Sequence, residues 1–100
     1  MSQANQIRVI VSFKFRNAIT LEDYQRLSEF VQHARQQPGC DEFTLMEDIS
    51  DPAFFTLMEL WASKEAHTRH SEQPYFREFV SFLTVSVVHL NARILKHLVV

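Results

Sequence analysis

Three observations predict an α+β domain with element order β-α-β-β-α-β. Apolar residues alternate at period two from Ile7 to Phe15. They repeat at helical spacing from Tyr24 to Ala34, and two further strand-like runs flank a turn at Asp51-Pro52. A split βαβ unit of this order gives a four-stranded antiparallel sheet with the helices on one face. At 100 residues the chain makes one domain, residues 1–100 with a core about 6–96, and one modest hydrophobic interior.

The first strand carries Ile7, Val9, Val11, Phe13 and Phe15 on one face, and Arg8, Ser12, Lys14 and Arg16 on the other. Thr20, with Asp23 three residues on, is a cap for the helix that carries Tyr24, Leu27, Phe30, Val31 and Ala34. Pro38-Gly39 stops that helix, since proline cannot continue it and glycine accepts a left-handed turn. Phe43 to Glu47 and Phe54 to Trp61 read as a hairpin around Asp48 to Pro52. Ser63 caps a second helix that carries His67 and His70 and is interrupted at Pro74, after which a further helical piece presents Phe76, Phe79, Val80 and Leu83. Val85 to Leu95 is β-branched and alternating, the expected fourth strand.

Composition removes several classes of function. A formal charge of −2, a pI near 6.2 and scattered cations argue against electrostatic binding of nucleic acid. Cys40 is the single cysteine, so neither an intramolecular disulfide nor a Cys-x-x-Cys motif can form. Gly39 is the single glycine, which excludes Gly-rich phosphate loops and dinucleotide fingerprints. Met1 to Gln6 is polar and reads as no signal peptide, and no apolar run nears the ~20 residues of a membrane span, so a cytoplasmic location is expected.

Nine Phe in so short a chain either fill a Phe-heavy core or line a pocket or subunit interface. Helices on one face leave the other sheet face bare. Ile10, Met46, Thr56, Met58, Leu60, Val88, Leu90 and Ile94 are assigned to that bare face, which is too apolar for water. The expected partner is a second copy, sheet against sheet.

Over nearly its whole length, and most densely between residues 37 and 83, the chain resembles the antibiotic biosynthesis monooxygenase (ABM) family. The resemblance rests on Gln37-Pro38-Gly39-Cys40, Phe43-Thr44-Leu45, Asp51-Pro52-Ala53-Phe54-Phe55 and Glu59-Leu60-Trp61-Ala62-Ser63. Lys64-Glu65-Ala66-His67 and His70-x-x-x-Pro74-Tyr75-Phe76 continue it in order. It implies a ferredoxin-like subunit, a dimeric α/β barrel, and oxygenation of quinols or polycyclic phenols with no flavin, haem or metal. Relatives of this fold include haem degraders, autoinducer-processing isomerases and members without assigned activity, so the fold alone leaves function open. The haem degraders carry an Asn on the first strand, and Ile7 to Phe15 has none. Some polyketide oxygenases place an Asn four residues before the Trp, where this chain has Leu57.

A cofactor-free oxygenase must deprotonate an electron-rich substrate, stabilise the anion that reduces O₂, and keep water out. His70 is the expected base, because imidazole titrates near neutrality; its other reading is a surface or capping histidine. Trp61, Glu59, His67, Tyr75 and Phe76 are the expected substrate-binding residues. Trp61 offers an indole face and N–H, or else closes the core at a strand end. Glu59 shares its parity and is an alternative base, or an ion-paired structural carboxylate. Tyr75 and Phe76 wall the pocket or simply pack the helix. His67 and His70 have a metal-compatible spacing, but no third ligand follows at helical spacing, so no metal is expected. The acids after Cys40 raise its thiol pKa and argue against a nucleophile. Competing readings are a non-catalytic small-ligand-binding dimer and an isomerase or degrading enzyme for a small signalling molecule.

Overall fold

The structure, a computed structural model, describes residues 5–100; Met1 to Ala4, and with them most of the polar N-terminus, lie outside the described residues. The elements are β1 (Ile7–Phe15), α1 (Leu21–Arg35), β2 (Cys40–Glu47), β3 (Phe54–Trp61), α2 (Lys64–Ser71), α3 (Pro74–Ser86) and β4 (Val87–Lys96). The strands form one antiparallel sheet in the order β2-β3-β1-β4, the ferredoxin-like arrangement. Among the described residues no helix is long and apolar enough to cross a membrane.

Pro74 does more than interrupt a helix. It occupies the first turn of α3, where its missing N–H costs nothing, so the order is β-α-β-β-α-α-β. Thr20 and Asp23 complete a capping box on α1, and the Ser63 hydroxyl accepts the Ala66 N–H to cap α2. Gly39 has φ +83°, and its carbonyl accepts the Ala62 N–H at 2.7 Å, which clips the start of β2 to the end of β3.

One core lies between the sheet and the helices. Val9, Phe13 and Phe15 of β1 meet Phe43, Phe55, Leu57 and Trp61 from β2 and β3. Leu27, Phe30, Val31 and Ala34 of α1, Ala66 of α2, and Phe79 and Leu83 of α3 close over them. Six of the nine Phe (Phe13, Phe15, Phe30, Phe43, Phe55 and Phe79) belong to this cluster and Phe76 and Phe82 pack against it, so most of the phenylalanine content is core.

The C-terminal strand departs from the sequence reading in two ways. Val85 and Ser86 end α3 and do not open β4. The Arg16 N–H donates to Ser86 O at 2.9 Å, and its guanidinium donates to Val85 O and Val87 O, so the last carbonyls of α3 are held by a residue 70 positions away. A bulge then slips the β1–β4 register between Lys14 and Phe15. As a result Leu90 pairs with Phe13 and Ile94 with Val9, which puts both on the helix side of the sheet. Their assignment to the bare face fails because one extra residue inverts every later side chain. No helix covers this end, and both remain exposed.

The helix-free face is amphipathic. Ile10 pairs with Met58, and Leu60 and Met46 lie on the same side. Around them run the Arg8–Glu42 ion pair at 2.9 Å, the Ser12–Thr56 hydroxyl contact and Lys14, itself paired with Asp51 at 2.9 Å.

Candidate functional site

The N-terminal end of β1 and the C-terminal end of β3 meet α2 and the first turn of α3, and most of the sequence-predicted site residues converge there. Glu59 and Trp61 are two apart on β3, so both project from the same face, toward the helices. Trp61 is 0 %, His70 1 % and Glu59 3 % exposed. The His70 ring lies 4.6 Å, centroid to centroid, from the Trp61 indole. Phe76 meets His70 edge-on at 5.1 Å, and Tyr75 O–H and His70 Nδ1 share a hydrogen bond. The partly buried His67 is more peripheral, 6.0 Å from both Trp61 and His70. The surface-histidine reading of His70 is therefore wrong, as is the ion-paired reading of Glu59, whose hydrogen-bond partner is an indole.

The electrostatics follow from burial. Glu59 accepts one hydrogen bond, from Trp61 Nε1 at 2.8 Å, and desolvation pushes its carboxyl up to about 7 against that bond. Desolvation, with His67 beside it, pushes His70 down to about 4, so the imidazole is neutral at physiological pH. Burial and the nearby Cys40 and Glu59 push the Tyr75 phenol up, and burial with Glu59 and Asp41 pushes the Cys40 thiol up. The result is a dry, buried corner in which a carboxyl group titrates near neutrality and a neutral histidine is hydrogen-bonded to a phenol.

Two further rings belong to the site. Phe30 of α1 lies 5.8 Å from His70 and 5.8 Å from Tyr75, and Phe43 of β2 lies 5.7 Å from His70 and 6.2 Å from Trp61. In the sequence both sit in ordinary apolar patterns, and nothing local separates them from core residues. Leu57, which stands where some relatives have an asparagine, is buried on the same side of β3 as Glu59 and offers no polar group. Among the described residues no group of three or more His, Cys, Asp or Glu is placed to hold a metal ion.

The sheet with its helices on one face is a ferredoxin-like α+β domain. Residues 7–81 match the antibiotic biosynthesis monooxygenase family, and the chain belongs to it. The Synechocystis protein sll1783 is 35% identical over 60 residues, covering 59% of this chain and 41% of that protein, so the chain spans less than half of this relative's length. PA3566 of Pseudomonas aeruginosa superposes with a TM-score of 0.85 at 19% identity, covering 99% of this chain and 100% of that one. SnoaB of Streptomyces nogalater, a cofactor-independent oxygenase, superposes with a TM-score of 0.82 at 17% identity, covering 94% of each chain. At these identities the structural likenesses establish the shared fold.

Proposed function

We propose that this protein is a cofactor-independent monooxygenase that oxidises a quinol or related electron-rich aromatic with O₂. The observation that carries the reading is Glu59, a buried carboxyl pushed up to about 7 beside a wall of aromatic rings. A base of that strength is matched to a phenolic proton near neutral pH. His70, pushed down to about 4, is too weak a base for this role and serves better as an anion partner. In this reading Tyr75 O–H donates to Nδ1 across their hydrogen bond, which leaves the imidazole hydrogen on Nε2 as a donor for the developing phenolate. Trp61, Tyr75 and Phe76 wall the ring, and His67 stands at the margin.

In this scheme the phenolate gives an electron to O₂, and the radical pair joins at a ring carbon. The resulting peroxide loses water as a ring C–H becomes a C–O bond. The substrate supplies all the electrons: one oxygen atom enters the ring, the other leaves as water, and no external reductant is consumed.

The functional unit in this proposal is a cytoplasmic homodimer, two sheets packed into an α/β barrel through Ile10, Met46, Met58 and Leu60. The apolar centre and polar rim of the helix-free face support that partner. The test is oxygen consumption by metal-stripped protein with hydroquinones and naphthols. Uptake above autoxidation, abolished in Glu59→Gln and reduced in His70→Ala, is expected. Uptake unchanged in Glu59→Gln removes the proposed base. Ligand-dependent change in Trp61 fluorescence with no uptake makes the protein a binding module.

A further inference from the structure

A cavity of about 90 Å³ opens between α1 and α3, lined by Arg26, Glu29, Phe30, His33, Tyr75 and Phe79 among others. It does not reach His70 or Trp61. Between the cavity and that buried corner stand the Phe30 ring, 5 % exposed, and Tyr75, which lines the cavity and hydrogen-bonds to His70. Phe30 lies 5.8 Å from His70 and 5.6 Å from Phe43, and it stacks nearly parallel on Phe79 at 3.7 Å with planes 8° apart. The sides away from the cavity are closed by the buried Phe43 and His70, while Phe79, which also lines the cavity, covers one face of the ring. The cavity is therefore the direction in which the ring can leave.

We propose that Phe30 is the gate of the Glu59–Trp61–His70 pocket and that its ring occupies the place of the substrate's ring. When Phe30 swings into the cavity, it vacates a slot shaped for one flat ring. Phe79 then offers a stacking face, and Phe43 and Phe76 offer edges. His70 lies at the inner end, where a ring hydroxyl would sit, and Tyr75 joins it to the cavity wall. The slot takes a single-ring phenol or hydroquinone and is too narrow for a polycyclic ligand without larger movement. This specificity rests on the proposed function of the site; the gate itself does not.

Trp61 is the only tryptophan, so quenching of its fluorescence by acrylamide reads access to the pocket directly. Weak quenching is expected in the wild type, and a several-fold larger quenching constant in Phe30→Ala. Phenol, filling the slot, should return that variant toward the wild-type value, whereas cyclohexanol, of similar size but not flat, should not. Phe43→Ala removes an equal ring from the same cluster on the sheet side, away from the cavity. If Phe43→Ala admits acrylamide as readily, or if Phe30→Ala leaves quenching unchanged, Phe30 is packing and the gate is overturned. Equal protection by phenol and cyclohexanol overturns the flat-ring slot. Should Phe30→Ala lose its cooperative thermal transition, Phe30→Leu is read in its place, with a smaller increase expected and no increase counting against the gate. Oxygen uptake is measured separately. Quenching as expected without uptake leaves the gate and removes the oxygenase, and uptake with no effect at Phe30 does the reverse.

Discussion

Trp61 Nε1 donates to Glu59 Oε1 at 2.8 Å, between side chains two residues apart on one strand, both buried on the helix side of the sheet. The pair fixes the indole plane that faces His70 and gives the carboxyl one neutral donor in place of water. One such bond does not repay desolvation, so the carboxyl keeps its proton to about pH 7.

The proposed reaction should follow this titration. In the oxygenase reading, kcat/KM for a hydroquinone rises with pH through a midpoint near 7 as Glu59 ionises. In Glu59→Gln that step disappears, and the residual rate follows only the ionisation of the substrate. A pH–rate profile of both proteins checks this.

Folding stability should carry the same two groups with opposite signs. Glu59 is raised from 4.5, so its contribution is full below pH 4.5 and is lost as pH rises through about 7. His70 is lowered from 6.5, so its contribution is full above pH 6.5 and is lost as pH falls through about 4. Each shift corresponds to on the order of 3 kcal/mol. Relative to wild type, Glu59→Gln should gain stability as pH rises from 4.5 to 7, and His70→Gln as it falls from 6.5 to 4. Urea unfolding at a series of pH values reads both slopes.

Tyr75→Phe should cost about 1–2 kcal/mol, because it removes a hydroxyl from a buried imidazole nitrogen and leaves that nitrogen without its partner. Denaturant titration with an unchanged m-value measures the loss. The ¹⁵N shift of His70 Nδ1 should move with it, which a loss of packing alone would not produce.

Gly39→Ala should destabilise by about 2–4 kcal/mol for two separable reasons. Its φ of +83° is unfavourable for alanine, and the added Cβ would lie 2.6 Å from the Ala66 Cβ. Combining it with Ala66→Gly relieves the contact but not the backbone strain. A double-mutant cycle should therefore show a favourable coupling of about 1 kcal/mol or more, with part of the loss remaining.

Met58→Arg should turn the proposed dimer into a monomer, because it places a charge opposite Ile10 at the apolar centre of the helix-free face. Sedimentation velocity checks the state, and a retained far-ultraviolet dichroism spectrum shows that the subunit itself still folds.

Local chemistry made most of the fold legible. Period-two alternation placed β1, a capping box started α1, Pro38-Gly39 ended it, and Asp51-Pro52 turned the hairpin of β2 and β3. Six site candidates could likewise be named, since Glu59, Trp61, His67, His70, Tyr75 and Phe76 carry polar or aromatic groups within the stretches that bear the family resemblance. What the sequence by itself determined is thus what depends on neighbours along the chain: element type, order, caps and strand parity up to the first irregularity.

Tertiary structure decided the rest. The end of α3 depends on Arg16, just after β1, and the facing of Leu90 and Ile94 depends on a bulge against Lys14 and Phe15. The proton affinities of Glu59 and His70 depend on how much water the assembled core removes from each. Phe30 and Phe43 are ordinary apolar residues until the helices dock and bring their rings beside His70. Each of these outcomes comes from contacts between distant segments, and desolvation has no value until those segments have met.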